Sequence, residues 1–205
     1  MRLGLLASGR GSNVEAILEA VRDGRLDAQP VVLVCDRWSA PVLEIAQGFR
    51  LPIQILTRSD FQTRAAHQEA IRDALQRDRV ELVALAGFAA ILDAVVVDAF
   101  EGRILNIHPS LLPAFAGMMA PEPQAAALRA GVTLTGCTVH LVTTEVDAGP
   151  IVAQSTVPVL PDDSVETLSA RILAEEHRLY PEVLQWFAEG RVCIAVAGQI
   201  HVAEG

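Results

Sequence analysis

Asn106 and His108 stand two residues apart at the end of the apolar run Arg103-Ile104-Leu105-Asn106-Ile107-His108, which stops at Pro109. Side chains alternate along a strand, so residues two apart leave by the same face. Pro109 has no N–H to give to a sheet ladder and ends the strand. An amide and an imidazole aimed at one point can stabilise a developing oxyanion. The imidazole can also move a proton near neutral pH. A structural histidine held by a backbone carbonyl is an equally good reading of the same residues.

Two other stretches could supply what this pair acts with. The first is Ser8-Gly9-Arg10-Gly11-Ser12-Asn13. It lies between the apolar run Leu3 to Ala7 and a segment with apolar residues at Val14, Ile17, Leu18 and Val21, which is helical spacing. Backbone N–H groups converge at such a turn, at the positive end of the helix dipole. Gly9 and Gly11 allow close approach of an oxyanion, and Ser12 and Asn13 add polar side chains. Val14 holds the place of the third glycine of a dinucleotide fingerprint, and no Gly-Lys-Ser/Thr follows. A single phosphate monoester is therefore the favoured occupant of Gly11, Ser12 and Asn13, with an ordinary strand-to-helix turn as the alternative. The second stretch is Thr143 to Pro150, which carries Asp147 before the turn signal Gly149-Pro150. A carboxylate there could pair with His108 and raise its pKa. A solvated turn aspartate is the commoner case, and spacing alone cannot join the two residues. No Gly-x-Ser-x-Gly elbow marks a serine nucleophile, and no pair of histidines at helical spacing suggests a metal.

These residues need a sheet to hold them. Apolar runs at Leu3 to Ala7, Val31 to Cys35, Ile53 to Leu56, Leu82 to Ala86 and Arg103 to Ile107 alternate with helical segments at 14–21, 42–49, about 60–79 and about 91–100. Ser59 or Asp60 would cap the third helix, with Phe61, Ala65, Ile71 and Leu75 toward the core. This alternation predicts an α/β fold with a doubly wound, mostly parallel Rossmann-like sheet. After Pro109 to Pro123, an irregular proline-rich loop, the rhythm changes. A short helix at 124–130 is followed by strands at 136–142 and 151–159 that form a hairpin. A helix from Val165 to about Leu173 or beyond, a new helical turn from Pro181 to Phe187, and a small hairpin turning at Ala197-Gly198 complete an antiparallel C-terminal addition.

The chain has 205 residues and a formal net charge of -9. Its length suits a single domain, 1–205, with a phosphate-binding βα half at 1–107 and the remainder at 108–205. The acidic balance, without a Lys/Arg block, argues against a bulk grip on nucleic acid. Cys35, Cys137 and Cys193 are odd in number and widely spaced, which suits a reducing compartment. The short apolar start and the lack of a membrane-length run predict a cytoplasmic protein.

Five motifs occur in order: Ser8 to Asn13, Ala86-Gly87-Phe88, Asn106-Ile107-His108-Pro109-Ser110-Leu111-Leu112-Pro113, Gly136-Cys137-Thr138-Val139-His140, and Val146 to Ile151. Together they resemble the phosphoribosylglycinamide formyltransferase family of folate-dependent enzymes in purine synthesis. The likeness extends to Glu176-His177-Arg178-Leu179-Tyr180-Pro181. The resemblance implies that glycinamide ribonucleotide places its phosphate on Gly11, Ser12 and Asn13, and that its amine attacks the formyl carbon of 10-formyltetrahydrofolate. Asn106 and protonated His108 would stabilise the oxyanion, and Asp147 would pair with His108 and help move the proton. Glu176 matches the position that contacts the glycinamide, and Arg64 a position near the folate. The folate would lie along Phe88, Ala89, Ala90, Ile91 and Leu92 and the loop around Val142. The resemblance implies no metal, no nucleic acid or membrane partner, and a monomer or homodimer. The rival readings are another 10-formyltetrahydrofolate-dependent formyltransferase or hydrolase, and a non-catalytic nucleotide- or folate-binding homologue. Ala89-Ala90 stand where the family usually has Met-Arg. Met118-Met119 and the longer Ala120-Pro121-Glu122-Pro123 replace a segment that usually carries a histidine. These departures put folate affinity and substrate choice at issue, while Asn106, His108 and Asp147 match.

Overall fold

The computed structural model describes residues 1–195 and 199–203. The chain divides into two compact units, 1–106 and 107–205.

The first unit carries β1 (Arg2–Ala7), α1 (Ser12–Arg22), β2 (Gln29–Cys35), α2 (Val42–Gly48), β3 (Ile53–Ile55), α3 (Arg64–Arg77), β4 (Leu82–Leu85) and α4 (Ala94–Val97). It also carries the start of β5 (Ile104–His108), which runs across the division. The strands are parallel and stand in the order β3-β2-β1-β4-β5. The chain winds outward from β1 through β2 to β3, then returns to β1's other side with β4. That reversal makes the exits of β1 and β4 the topological switch point, where such sheets bind ligands. Apolar strands suit this burial: Leu3, Leu5, Leu6 and Ala7 of β1 are wholly buried, as are Val32 to Cys35 of β2.

Two sequence expectations in this unit need correction. The third helix begins at Arg64 with Thr63 as its cap, Thr63 Oγ1 accepting from Ala66 N. Asp60 is unavailable as a cap because Thr57 donates to its carboxylate and closes a tight turn over Arg58–Asp60. Phe61 precedes the helix and Ala65 is exposed, whereas Ile71 and Leu75 are buried. The helix expected from Ile91 starts only at Ala94. Gln68, itself buried, accepts from Asp93 N and donates to the Ile91 carbonyl, and Arg64 adds a second bond to that carbonyl. Side chains thus satisfy the backbone that a helix would otherwise pair.

The second unit carries α5 (Glu122–Ala130), β6 (Leu134–Leu141), β7 (Ile151–Pro158), α6 (Val165–Ala188), β8 (Val192–Ile194) and β9 (Ile200–Val202). β6 and β7 form the expected antiparallel hairpin, with Thr138 opposite Gln154. β8 and β9 pair antiparallel, while the turn expected at Ala197-Gly198 lies outside the described residues. α6 packs on β6, β7 and α5. It is one continuous helix of 24 residues and does not restart at Pro181. An internal proline costs about 3 kcal/mol. Burying Leu179, Tyr180, Val183 and Leu184 around it returns about 1.5–3 kcal/mol for each large apolar side chain, which outweighs that cost.

Among the described residues no helix is long and apolar enough to cross a membrane.

Candidate active site

β5 delivers His108 into the second unit as a buried residue with both ring nitrogens facing acceptors. Nδ1 lies 3.2 Å from Asp147 Oδ2, and Nε2 lies 3.2 Å from the Phe115 carbonyl oxygen. The spacing of the sequence could not join Asp147 to His108; the β6–β7 hairpin does. Gly149 permits it, because a Cβ there would lie 1.8 Å from the Leu141 carbonyl oxygen. The tip therefore folds tightly back on the end of β6, and the Leu141 amide donates to Pro150. Asp147 and Phe115 both adopt left-handed backbone conformations, with φ of 53° and 60°. Such conformations are uncommon for residues with a side chain and persist where surrounding contacts over-determine them. Gly117 N donates to Asp147 Oδ2 at 2.8 Å, so the proline-rich loop holds the carboxylate as well as the imidazole.

The electrostatics oppose one another. Burial pushes the His108 pKa down, the Asp147 carboxylate and the Phe115 carbonyl pull it up, and His140 pushes it down again. The net direction is downward from the ordinary histidine value. Asp147 raises the value as expected, but the carboxylate does not overcome desolvation. Only an imidazolium can donate to both flanking acceptors. The site is thus shaped for the charged ring while its burial favours the neutral one. For Asp147, burial raises the pKa, but His140, the Gly117 amide and His108 together hold it below the ordinary carboxylate value.

His140 carried no expected role in the site. Its Nε2 lies 3.6 Å from Asp147 Oδ1, long for a hydrogen bond, while its Nδ1 contacts the Leu141 carbonyl at 2.9 Å. Two histidines therefore flank one carboxylate. The available signal was His140 at the end of a strand, paired across the hairpin near Asp147. Ser110 is wholly buried and donates to the Ala114 carbonyl, which makes it a loop tie.

Glu176 is buried on α6, close enough to Cys137 for its charge to help raise that thiol. Burial is the larger cause, and the Cys137 pKa is pushed up to about 12. Val142 is half-buried just beyond β6. Asn106 is half-buried on β5, two residues before His108.

In the first unit, α1 starts at Ser12 with Gly11 as its cap and no side-chain capping bond. Gly11 has φ of 83°, and a Cβ there would lie 2.5 Å from Val42 Cγ2 and 2.9 Å from its Cα, so only glycine fits. The turn carrying Gly11, Ser12 and Asn13 is therefore fixed against the start of α2, with Val42 N donating to the Gly9 carbonyl. Ser8 ties it to the exit of β4: its N–H donates to the Gly87 carbonyl and its Oγ accepts from Ala89 N at 2.7 Å. Phe88, Ala89 and Ala90 are half-buried, Ile91 is exposed and Leu92 is buried. Arg64 is exposed and pairs through both Nε and Nη2 with Asp93. Among the described residues, no group of three or more His, Cys, Asp or Glu is placed to hold a metal ion.

The formyl transferase family profile matches residues 1–184. The chain is 40% identical over 184 residues to the phosphoribosylglycinamide formyltransferase of Bacillus subtilis, a match covering 90% of this chain and 93% of that protein. It is also 40% identical over 199 residues to the trifunctional purine biosynthetic protein adenosine-3 of Bos taurus. That match covers 97% of this chain but 19% of the relative, so the chain spans about a fifth of the trifunctional protein's length. A solved structure of glycinamide ribonucleotide transformylase 1 from Symbiobacterium toebii superposes with a TM-score of 0.95 at 45% identity, over 100% of this chain and 94% of that one. This likeness agrees with the mostly parallel Rossmann-like sheet and small antiparallel C-terminal sheet expected from sequence.

Proposed function

Because this chain belongs to the formyl transferase family, we propose that it moves the formyl group of 10-formyltetrahydrofolate onto the amine of N1-(5-phospho-D-ribosyl)glycinamide, a step of purine synthesis. The observation that carries the reading is the contact of buried His108 with half-buried Asp147 at 3.2 Å, at the end of the strand that bears Asn106. A substrate that brings its own amine needs no enzyme nucleophile. It needs an oxyanion donor and a path for one proton, which these three residues supply.

The substrate amine attacks the formyl carbon, forming a C–N bond and placing negative charge on the formyl oxygen. Asn106 donates to that oxygen. His108, whose pKa burial lowers, takes the proton released by the amine, directly or through a water. It becomes an imidazolium that keeps Nδ1–H on Asp147 and carries the transferred proton on Nε2, and its charge offsets that of the oxyanion. Collapse breaks the bond to N10 of the folate, and the same proton leaves with that nitrogen. Gly11, Ser12 and Asn13 hold the phosphate at the start of α1, where no side-chain cap competes for the anion. Glu176 contacts the glycinamide. Phe88 to Leu92, Val142 and Arg64 border the folate, on a segment steadied by Ser8 and Gln68.

The test mixes purified protein with both substrates and follows release of the deformylated folate. Turnover that requires both substrates supports the reading. Turnover with the folate alone would make the protein a hydrolase, and no turnover with both ligands bound would make it a binding protein.

A further inference from the structure

The strand-exit loop that holds His108 is itself held by two side chains with no part in the roles above. Thr138 on β6 is wholly buried. Its hydroxyl donates to the Ser110 carbonyl at 2.7 Å, accepts from Leu112 N at 3.0 Å and accepts from Gln154 Nε2 at 2.9 Å. One donor and two lone pairs are thereby all used. Gln154, its cross-strand partner on β7, also donates to the Leu112 carbonyl at 3.1 Å. Both backbone groups of Leu112 and the carbonyl of Ser110 are thus gripped by one pair of facing side chains.

The grip continues to the reacting groups. Ser110, fixed through its carbonyl, donates its hydroxyl to the Ala114 carbonyl. The next residue, Phe115, presents its carbonyl to His108 Nε2, and Gly117 presents its amide to Asp147. The loop therefore leaves the sheet at His108, is pinned at Ser110 and Leu112, and returns to touch both members of the pair. We infer that Thr138, braced by Gln154, is a positioning residue for formyl transfer, setting the loop that fixes the orientation of His108 and Asp147. This inference rests on the proposed activity for its catalytic part alone; the hold on the loop is a property of the second unit by itself.

Three variants and two measurements test it. Thr138→Val keeps the shape but removes the hydroxyl, Thr138→Ser restores it, and Gln154→Leu removes only the brace at an exposed position. A misplacement of catalytic groups far smaller than a side chain can cost about 10²-fold in rate. The expectation for Thr138→Val is therefore a kcat lower by about 10-fold with KM for both substrates unchanged, a smaller fall for Gln154→Leu, and recovery in Thr138→Ser. Amide hydrogen exchange supplies a readout that needs no turnover. In Thr138→Val the Leu112 and Gly117 amides should both exchange about 10-fold faster, since the loop opens as a unit. If Thr138→Val does not fold, Gln154→Leu carries both measurements. Wild-type kcat in the folded variants, or a rise in KM alone, overturns the positioning role. Unchanged exchange at Gly117 overturns it even if the wild-type protein shows no turnover; that last result would separately defeat the proposed activity.

Discussion

The two units differ in how they treat their polar groups. In the second, the candidate catalytic side chains are already engaged: His108 touches Asp147 and Phe115, Asp147 also takes the Gly117 amide, and His140 flanks the same carboxylate. In the first, the turn at Gly11 is fixed by packing, and α1, like α2, α4 and α5, begins with no side-chain cap. On the proposed reading, one unit holds its candidate side chains in place before any ligand arrives, and the other offers the start of α1 to the phosphate. The difference implies that substitutions in the second unit will act on the rate of the chemical step. Those around α1 will act on substrate affinity.

The sharpest break of that contrast is at His108. His108→Ala should lower kcat by about 10²–10³ while the fold persists, as loss of one oxyanion donor does elsewhere. Asp147→Asn should lower kcat by at least about 10², with KM little changed. A rise in KM without loss of kcat in either variant would put these residues on the binding side. In the first unit, Gly11→Ala should destabilise the protein by about 2 kcal/mol in urea unfolding, because a left-handed φ and a clash with the Val42 backbone coincide. Wild-type stability would show that the turn relaxes. A Ser12→Ala/Asn13→Ala double variant should raise KM for the phosphorylated substrate with kcat maintained; a fall in kcat alone would erase the contrast between the units.

A smaller effect concerns acid stability. His108 has its pKa depressed by burial, so the unfolded chain binds its proton more readily, and stability should fall as the pH drops below about 6.5. Asp147 is also depressed, so its contribution is present above about 3.9 and is lost as the pH falls further, through its folded value. His108→Gln should remove the upper part of this acid sensitivity in denaturant titrations, and an unchanged profile would show that the ring is not desolvated in solution.

Much of this was legible beforehand, for identifiable reasons. Alternating apolar runs marked β1 to β5 because parallel strands are buried on both faces. The β6–β7 hairpin was legible because its strands lie too close in sequence for a crossover helix. His108 at a strand end followed by proline, and Gly11 before helical spacing, were visible as local chemistry. Contacts made by long-range folding were not. Gln68 and Arg64 halt the helix expected at Ile91 from 23 and 27 residues away, and no local pattern records that. Pro181 reads locally as a break, but burial of its neighbours in α6 overrides it. His140, Thr138 and the Phe115 carbonyl join the site only through the hairpin and the loop. The direction of the His108 pKa shift needed burial as well as the charge of Asp147.

The account turns on a His108 whose pKa burial lowers and Asp147 draws part of the way back up. The most direct test is the pH dependence of kcat/KM for formyl transfer in the wild-type protein and in Asp147→Asn. The wild type should lose activity on the acid side with an apparent pKa below about 6.5, and removal of the carboxylate should move that limb to still lower pH. A limb above the ordinary histidine value, or one that Asp147→Asn leaves in place, would contradict it.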